Sequence, residues 1–271
     1  MNKIGLISGD GNLPINIGTI LKANNFDVTY LLLKSIKNKE IYKNEKYFII
    51  DIISIKKIIN ILKKNNIQKI IFAGSLRRPS ISDLGFDLET IKLAKKLFLE
   101  KKGDNNLLIS IKNYLQSKGF IFFNWTKYCS ELFSVDENIS SIKPSKLAKL
   151  NFAKSKLIYK YFKKIDVGQS MIIQNQLVLG LEAIEGTDKL IERCSHYKRK
   201  GDKGIIVKFS KKNQSSIIDI PLIGLDTIKA IKSFNYEGIF LEKNKCLIID
   251  KKEVIDYANK NKIFISSMDL N

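Results

Sequence analysis

Three carboxylates stand within seven residues at Glu182, Glu185 and Asp188, with Gly186 and Thr187 between the last two. Acids this close can share a divalent cation or align a water, and a glycine permits the tight turn that gathers them. The same spacing also suits an acidic helix start that complements the helix dipole. A second group runs from Asp219 through Pro221 and Gly224 to Asp226 and Thr227, so a loop stiffened by Pro and Gly leads into an expected helix. There Asp226 is either a helix N-cap or a metal-binding carboxylate beside anion-binding amides.

The chain carries a single histidine, His196, inside a His-Tyr-Lys-Arg-Lys run. One imidazole cannot build a His-rich two-metal centre, nor a zinc site with two or three histidines. No Gly-x-Ser-x-Gly elbow accompanies it, and His196 reads as a surface residue. Hydrolytic chemistry then falls to carboxylates, with oxygen-ligated Mg²⁺ or Mn²⁺ as the expected cofactor. For anions, Gly9-Asp10-Gly11 follows an expected strand, but Pro14 breaks the Gly-x-Gly-x-x-Gly pattern and NAD binding is not supported. Arg77 and Arg78 are adjacent in a chain whose other arginines are Arg193 and Arg199. A lysine-rich background does not account for such a pair, and the guanidinium fork suits phosphate.

These residues need elements to hold them. Residues 3–8 read as a buried strand, followed by a turn and a helix opened by Pro14. Strands are expected at 28–33, 69–73 and 120–123. Helices are expected from a Ser54 cap to about 65, at 88–100 and at 105–117. This alternation indicates α/β architecture, with a Rossmann-like, doubly wound parallel sheet over residues 1–133. Residues 134–146 lack periodicity and read as a linker. Residues 147–271 then form a C-terminal mixed α/β catalytic domain. It begins with a basic helix over 145–164 and two strands around an Asn175-Gln176 turn. Further strands are expected at 204–209, 238–242, 246–250 and 263–267, with helices near 187–198, 227–234 and 251–261.

A chain of 271 residues, 44% hydrophobic and 27% charged, is long enough for one large or two modest globular cores. It opens without a secretory signal pattern, and no apolar run approaches the roughly 18–20 residues of a membrane span. The expected location is cytoplasmic, with the protein able to rest on a membrane. Cys129, Cys194 and Cys246 are scattered without metal-ligand spacing and read as reduced thiols. The net charge of +20 comes almost wholly from lysine, alongside abundant Ile and Asn. That composition fits A/T-biased coding as well as it fits attraction to polyanions and anionic lipid. Helix-turn-helix spacing, zinc fingers and a clustered aromatic RNP pattern are all missing, so a nucleic-acid partner is not indicated.

Taken together, several segments resemble the LpxI family of UDP-2,3-diacylglucosamine pyrophosphatases along nearly the whole chain. They are the Gly5–Pro14 opening, Ala73-Gly74 to Pro79, Asp166-Val167-Gly168-Gln169-Ser170, Glu182 to Asp188, Lys208, and Asp219 to Thr227. The sequence departs from the family at Asn105, where Gly103-Asp104 is followed by an amide rather than an acid, and at Gln214–Ile217. The resemblance implies hydrolysis of UDP-2,3-diacylglucosamine to UMP and 2,3-diacylglucosamine 1-phosphate, with Asp226 as the catalytic carboxylate. It further implies substrate contacts at Gly9, Gly11, Arg78, Gly103, Asp104, Gln169, Gly186, Thr187, Lys208 and Thr227. Asp226, Glu185 and Asp188 are the expected metal ligands. The implied setting is the cytoplasmic face of the inner membrane, and a homodimer is compatible with it. A relative that binds a UDP-sugar without turnover stays open as an alternative, as does, more remotely, a nucleic-acid-binding protein.

Overall fold

The computed structural model describes residues 2–52, 54–75, 104–162, 167–211 and 220–270, with the backbone alone over 104–109. The expected helix at 88–100, and Arg77, Arg78, Gly103, Asp166 and Asp219, lie outside the described residues. The chain divides into two compact units, Met1–Ser130 and Glu131–Asn271.

In the first unit, β1 (Asn2–Ser8), β2 (Phe26–Leu33), β3 (Tyr47–Ile50), β4 (Lys69–Ala73) and β5 (Ile121–Phe122) form an all-parallel sheet in the order β3-β2-β1-β4-β5. Both central strands are almost continuously apolar and buried, as strands covered on two faces must be. The helices are α1 (Leu13–Ala23), α2 (Ile55–Lys64) and α3 (Asp104–Ser117). In α2 the buried Ile55, Ile58, Ile59 and Leu62 recur at helical spacing, which leaves the lysines outward. Sequence periodicity did not predict β3. It is an edge strand whose half-exposed positions, Tyr47 and Ile49, are themselves apolar, so no polar alternation marks it.

The second unit opens with α4 (Lys146–Phe162), followed by β6 (Ser170–Gln174), β7 (Leu177–Leu181), α5 (Thr187–Ser195) and β8 (Ile205–Lys208). Then come β9 (Leu222–Ile223), α6 (Leu225–Ser233), β10 (Gly238–Glu242), β11 (Leu247–Ile248), α7 (Lys251–Lys260) and β12 (Phe264–Met268). Its main sheet has the order β12-β10-β8-β6-β7, parallel from β12 to β8 and antiparallel from β8 to β7. Asn175 and Gln176 both take positive φ, 51° and 59°, as a two-residue hairpin turn requires.

Alternation along the strands sorts the core into two layers. Met171, Ile173, Ile205, Val207, Phe240 and Phe264 pack with Phe152 and Tyr159 of α4. Ile172, Ile206, Ile239 and Ile265 pack with Leu190, Ile228 and Val254 of α5, α6 and α7. Lys208, two residues after Ile206, is thereby aimed at the three-helix face. Residues 134–146, read from sequence as a linker, fall within the second unit and are pinned to its sheet. Ser134 N–H donates to Cys246 O, Ile139 N–H to Ile265 O, and Asn138 bridges Ser266. A segment tied down by backbone pairing needs no periodicity of its own, which is why its sequence looked featureless.

All three cysteines are buried thiols. Burial pushes the Cys246 thiol up to about 12 and also raises that of Cys194. Thiolate is the reactive form, so the native protein should resist iodoacetamide and label at these positions only when unfolded. Rapid native labelling, read by intact mass, would contradict this placement.

Candidate active site

The register between β6 and β8 sets Ser170 directly opposite Lys208. The Lys208 side chain is only 5% exposed. Its ammonium donates to Thr187 Oγ1 at 2.5 Å and to Ser170 Oγ at 3.3 Å, and it lies 3.9 Å from Glu182 Oε2. Thr187 in turn donates to Glu182 Oε2 at 3.0 Å. A buried charge must be paired and hydrogen-bonded to be tolerated, and these four residues satisfy that condition together. Gly168 makes the arrangement fit, because a Cβ there would stand 2.1 Å from the Glu182 carbonyl oxygen. Gln169 is fixed alongside by its carbonyl, which accepts from Phe209 N–H at 2.9 Å.

Thr187 is also the first residue of α5. Gly186, its N-cap, has φ 80°, a conformation that favours glycine. The neighbouring Asp188 accepts from the buried Thr227 hydroxyl at 2.7 Å, which ties the start of α5 to the start of α6. Gly224 caps α6 in extended backbone. Neither glycine offers a side chain to the first-turn N–H groups, so both helix starts keep amides suited to an anion.

Asp226 is the second residue of α6, not its cap, and its side chain is 89% exposed. Its nearest described cation is Lys229, at 4.0 Å. Glu185 is engaged differently. Arg193 donates to it at 2.7 Å and holds its carboxyl below the usual carboxylate range, and Ala183 N–H adds a further bond at 3.2 Å. His196 is exposed at the far end of α5.

For a divalent cation, the donors differ in availability. Among the described residues no group of three His, Cys, Asp or Glu side chains could hold a metal ion. Asp226 has an open carboxylate, and Asp188 uses one oxygen on Thr227, whereas Glu185 is committed to Arg193. Mg²⁺ is commonly held by one or two carboxylates and completed by substrate phosphates and water, and of these three acids Asp226 and Asp188 keep a carboxylate oxygen of that kind.

In the first unit the expected glycine loops meet at the point where the strand order reverses, the crevice in which open parallel sheets hold ligands. Asp10 and Ser75 exchange backbone bonds at 2.9 and 2.8 Å. A Cβ on Gly9 would lie 2.3 Å from Ser75 O, and Gly74 has φ 88°. Gly11 is exposed at the lip. Asp10 Oδ1 accepts from Gly11 N–H at 3.2 Å and shapes the loop. Asp104 begins α3.

The sequence marks Thr187 as part of a helix start, but the substrate contacts of Thr187 and Lys208 come from the family resemblance alone. Their partnership with Ser170 and Glu182 depends on strand register, which no local motif encodes.

The comparisons fall on both units. The description "LpxI N-terminal domain" matches residues 3–132, and "LpxI C-terminal domain" matches residues 136–266. The chain is 26% identical over 278 residues to the UDP-2,3-diacylglucosamine pyrophosphatase LpxI of Caulobacter vibrioides, covering 99% of this chain and 98% of that protein. With both domains matched in order, this chain belongs to the LpxI family.

Proposed function

We propose that this protein is a hydrolase that splits the pyrophosphate of UDP-2,3-diacylglucosamine, with Mg²⁺ or Mn²⁺, in lipid A biosynthesis. Water supplies the oxygen of a new P–O bond, the bridging P–O bond breaks, and UMP and 2,3-diacylglucosamine 1-phosphate leave. The observation that carries this reading is one bonded series, Lys208–Thr187 and Asp188–Thr227, set beside the open carboxylate of Asp226 in a chain of this family.

The residues divide the work by their chemistry. Thr187 donates a hydrogen bond to Glu182. The first-turn amides of α5 and α6, left uncapped by Gly186 and Gly224, face phosphate oxygens. Lys208 fixes the Thr187 hydroxyl and adds positive potential where pyrophosphate charge accumulates. Asp226 orients the attacking water and, with Asp188, would hold the cation. A cation so held supplies charge neutralisation at the phosphoryl oxygens. The diacyl substrate places the enzyme at the cytoplasmic face of the inner membrane without a spanning helix, and among the described residues no helix is long and apolar enough to cross a bilayer.

The test is direct. Purified protein given UDP-2,3-diacylglucosamine and Mg²⁺ should release UMP, measured by chromatography. In EDTA the rate should fall at least tenfold and return with Mg²⁺ or Mn²⁺. Binding of the nucleotide without UMP release would replace this reading with that of a non-catalytic UDP-sugar binder. Full turnover in chelator would remove the cation from it.

A further inference from the structure

Helix α4 has two apolar faces. Ser145 caps it by accepting from Ala148 N–H at 3.1 Å, and Ala148, Phe152, Tyr159 and Phe162 bury one face against the sheet. Leu147, Leu150, Leu157 and Tyr161 lie on the opposite side, 52%, 48%, 58% and 75% exposed. At 100° per residue these four fall within one quadrant of the helix, far more apolar than a solvated face requires. Lys154 lies inside that stripe and Lys146 beside it, both exposed.

The sequence of α4 contains five lysines and no acid, and none of the five has a carboxylate within 4 Å among the described residues. The nearest acid at its start, Glu237, is occupied by Ser145. We infer that this outward face of α4 docks the protein on anionic lipid, with Leu150, Leu157 and Tyr161 in the headgroup–acyl boundary and the lysines on the phosphates. Charge decides against a second copy as the occupant. Two such faces would bring unpaired lysines together, whereas an anionic bilayer neutralises them.

The proposal rests on the preceding reading only for its purpose, delivery to a lipid-borne substrate, so docking is measured without substrate. The full chain is sedimented with vesicles of phosphatidylcholine alone, and of phosphatidylcholine mixed with phosphatidylglycerol. Binding should require the anionic lipid and weaken as salt rises, because surface charges are screened. A Leu150→Gln/Leu157→Gln/Tyr161→Gln variant keeps the net charge and should bind at least about tenfold more weakly. Lys146→Gln/Lys154→Gln/Lys160→Gln should lose about fivefold per lysine at low salt and flatten the salt response. All six positions are exposed, so thermal unfolding should be unchanged and confirms that the variants are folded. Wild-type affinity in the apolar variant overturns the proposal, as does equal binding to both vesicle types. A wild-type dimer that the apolar variant dissolves, with no vesicle binding, overturns it in favour of self-association. With detergent-dispersed substrate the variants should turn over like wild type. If wild type then releases no UMP yet still docks, the catalytic reading fails and this one stands.

Discussion

Asp226→Asn should leave a folded protein that binds UDP-2,3-diacylglucosamine and turns it over at least about 10²-fold more slowly. Positioned acid–base groups contribute about 10²–10⁴-fold to rate, and Asn keeps the shape of Asp while removing its charge. The structure takes away the competing explanation. A carboxylate that capped α6 would be replaced by Asn at little cost, but the cap is Gly224 and Asp226 lies two positions further in, exposed. Its contribution to stability is therefore confined to the helix dipole and a loose contact with Lys229, together within about 1 kcal/mol. On the proposed reading affinity should survive, because Asn keeps the shape of Asp and most of the binding is expected from the uridine and acyl groups. Calorimetric binding, urea unfolding and UMP release, measured on one preparation, separate the three quantities. Turnover within a few fold of wild type would reduce Asp226 to a dipole partner and turn attention to Asp188.

How much could be read beforehand differs between the two units for a physical reason. The parallel strands β1, β2 and β4 are continuous apolar runs, and α2 carries its isoleucines at helical spacing, so local pattern sufficed. Edge strand β3 and the two-residue β9 show no such pattern, because their pairing is supplied by neighbours. In the site, Gly186 and Thr187 were legible as a turn and a helix start. That Ser170 faces Lys208 across 38 residues of chain was not, because it follows from an antiparallel register fixed by the whole sheet. Asp226 was legible as the residue before or within a helix start. Only the observed bounds of α6 decide between cap and open carboxylate.

The same register leads to a strong effect on stability at Lys208. Lys208→Met replaces the ammonium with a side chain of similar length and leaves Glu182, whose side chain is 12% exposed, without its cation. Removing one partner of a buried ion pair typically costs about 3–5 kcal/mol, because the remaining charge is stranded. The lower end, about 3 kcal/mol, is expected here. The ions are 3.9 Å apart, and Thr187 still donates to the Glu182 carboxylate at 3.0 Å. The loss should appear as a lower urea midpoint with an unchanged slope, since the surface exposed on unfolding is the same. Glu182→Gln in the Lys208→Met background removes the stranded charge and should restore more than half of the loss. The coupling in this double-mutant cycle reports the pair itself. Catalysis should not follow stability. With Met at 208 the Thr187 hydroxyl loses its strongest donor, so UMP release should stay depressed in the double variant even where folding recovers. A single variant within about 0.5 kcal/mol of wild type would show that water reaches Glu182 and that the four-residue network is not sealed. A double variant that regains full activity would make Lys208 a structural counter-ion and leave the phosphate to the helix amides and Asp226.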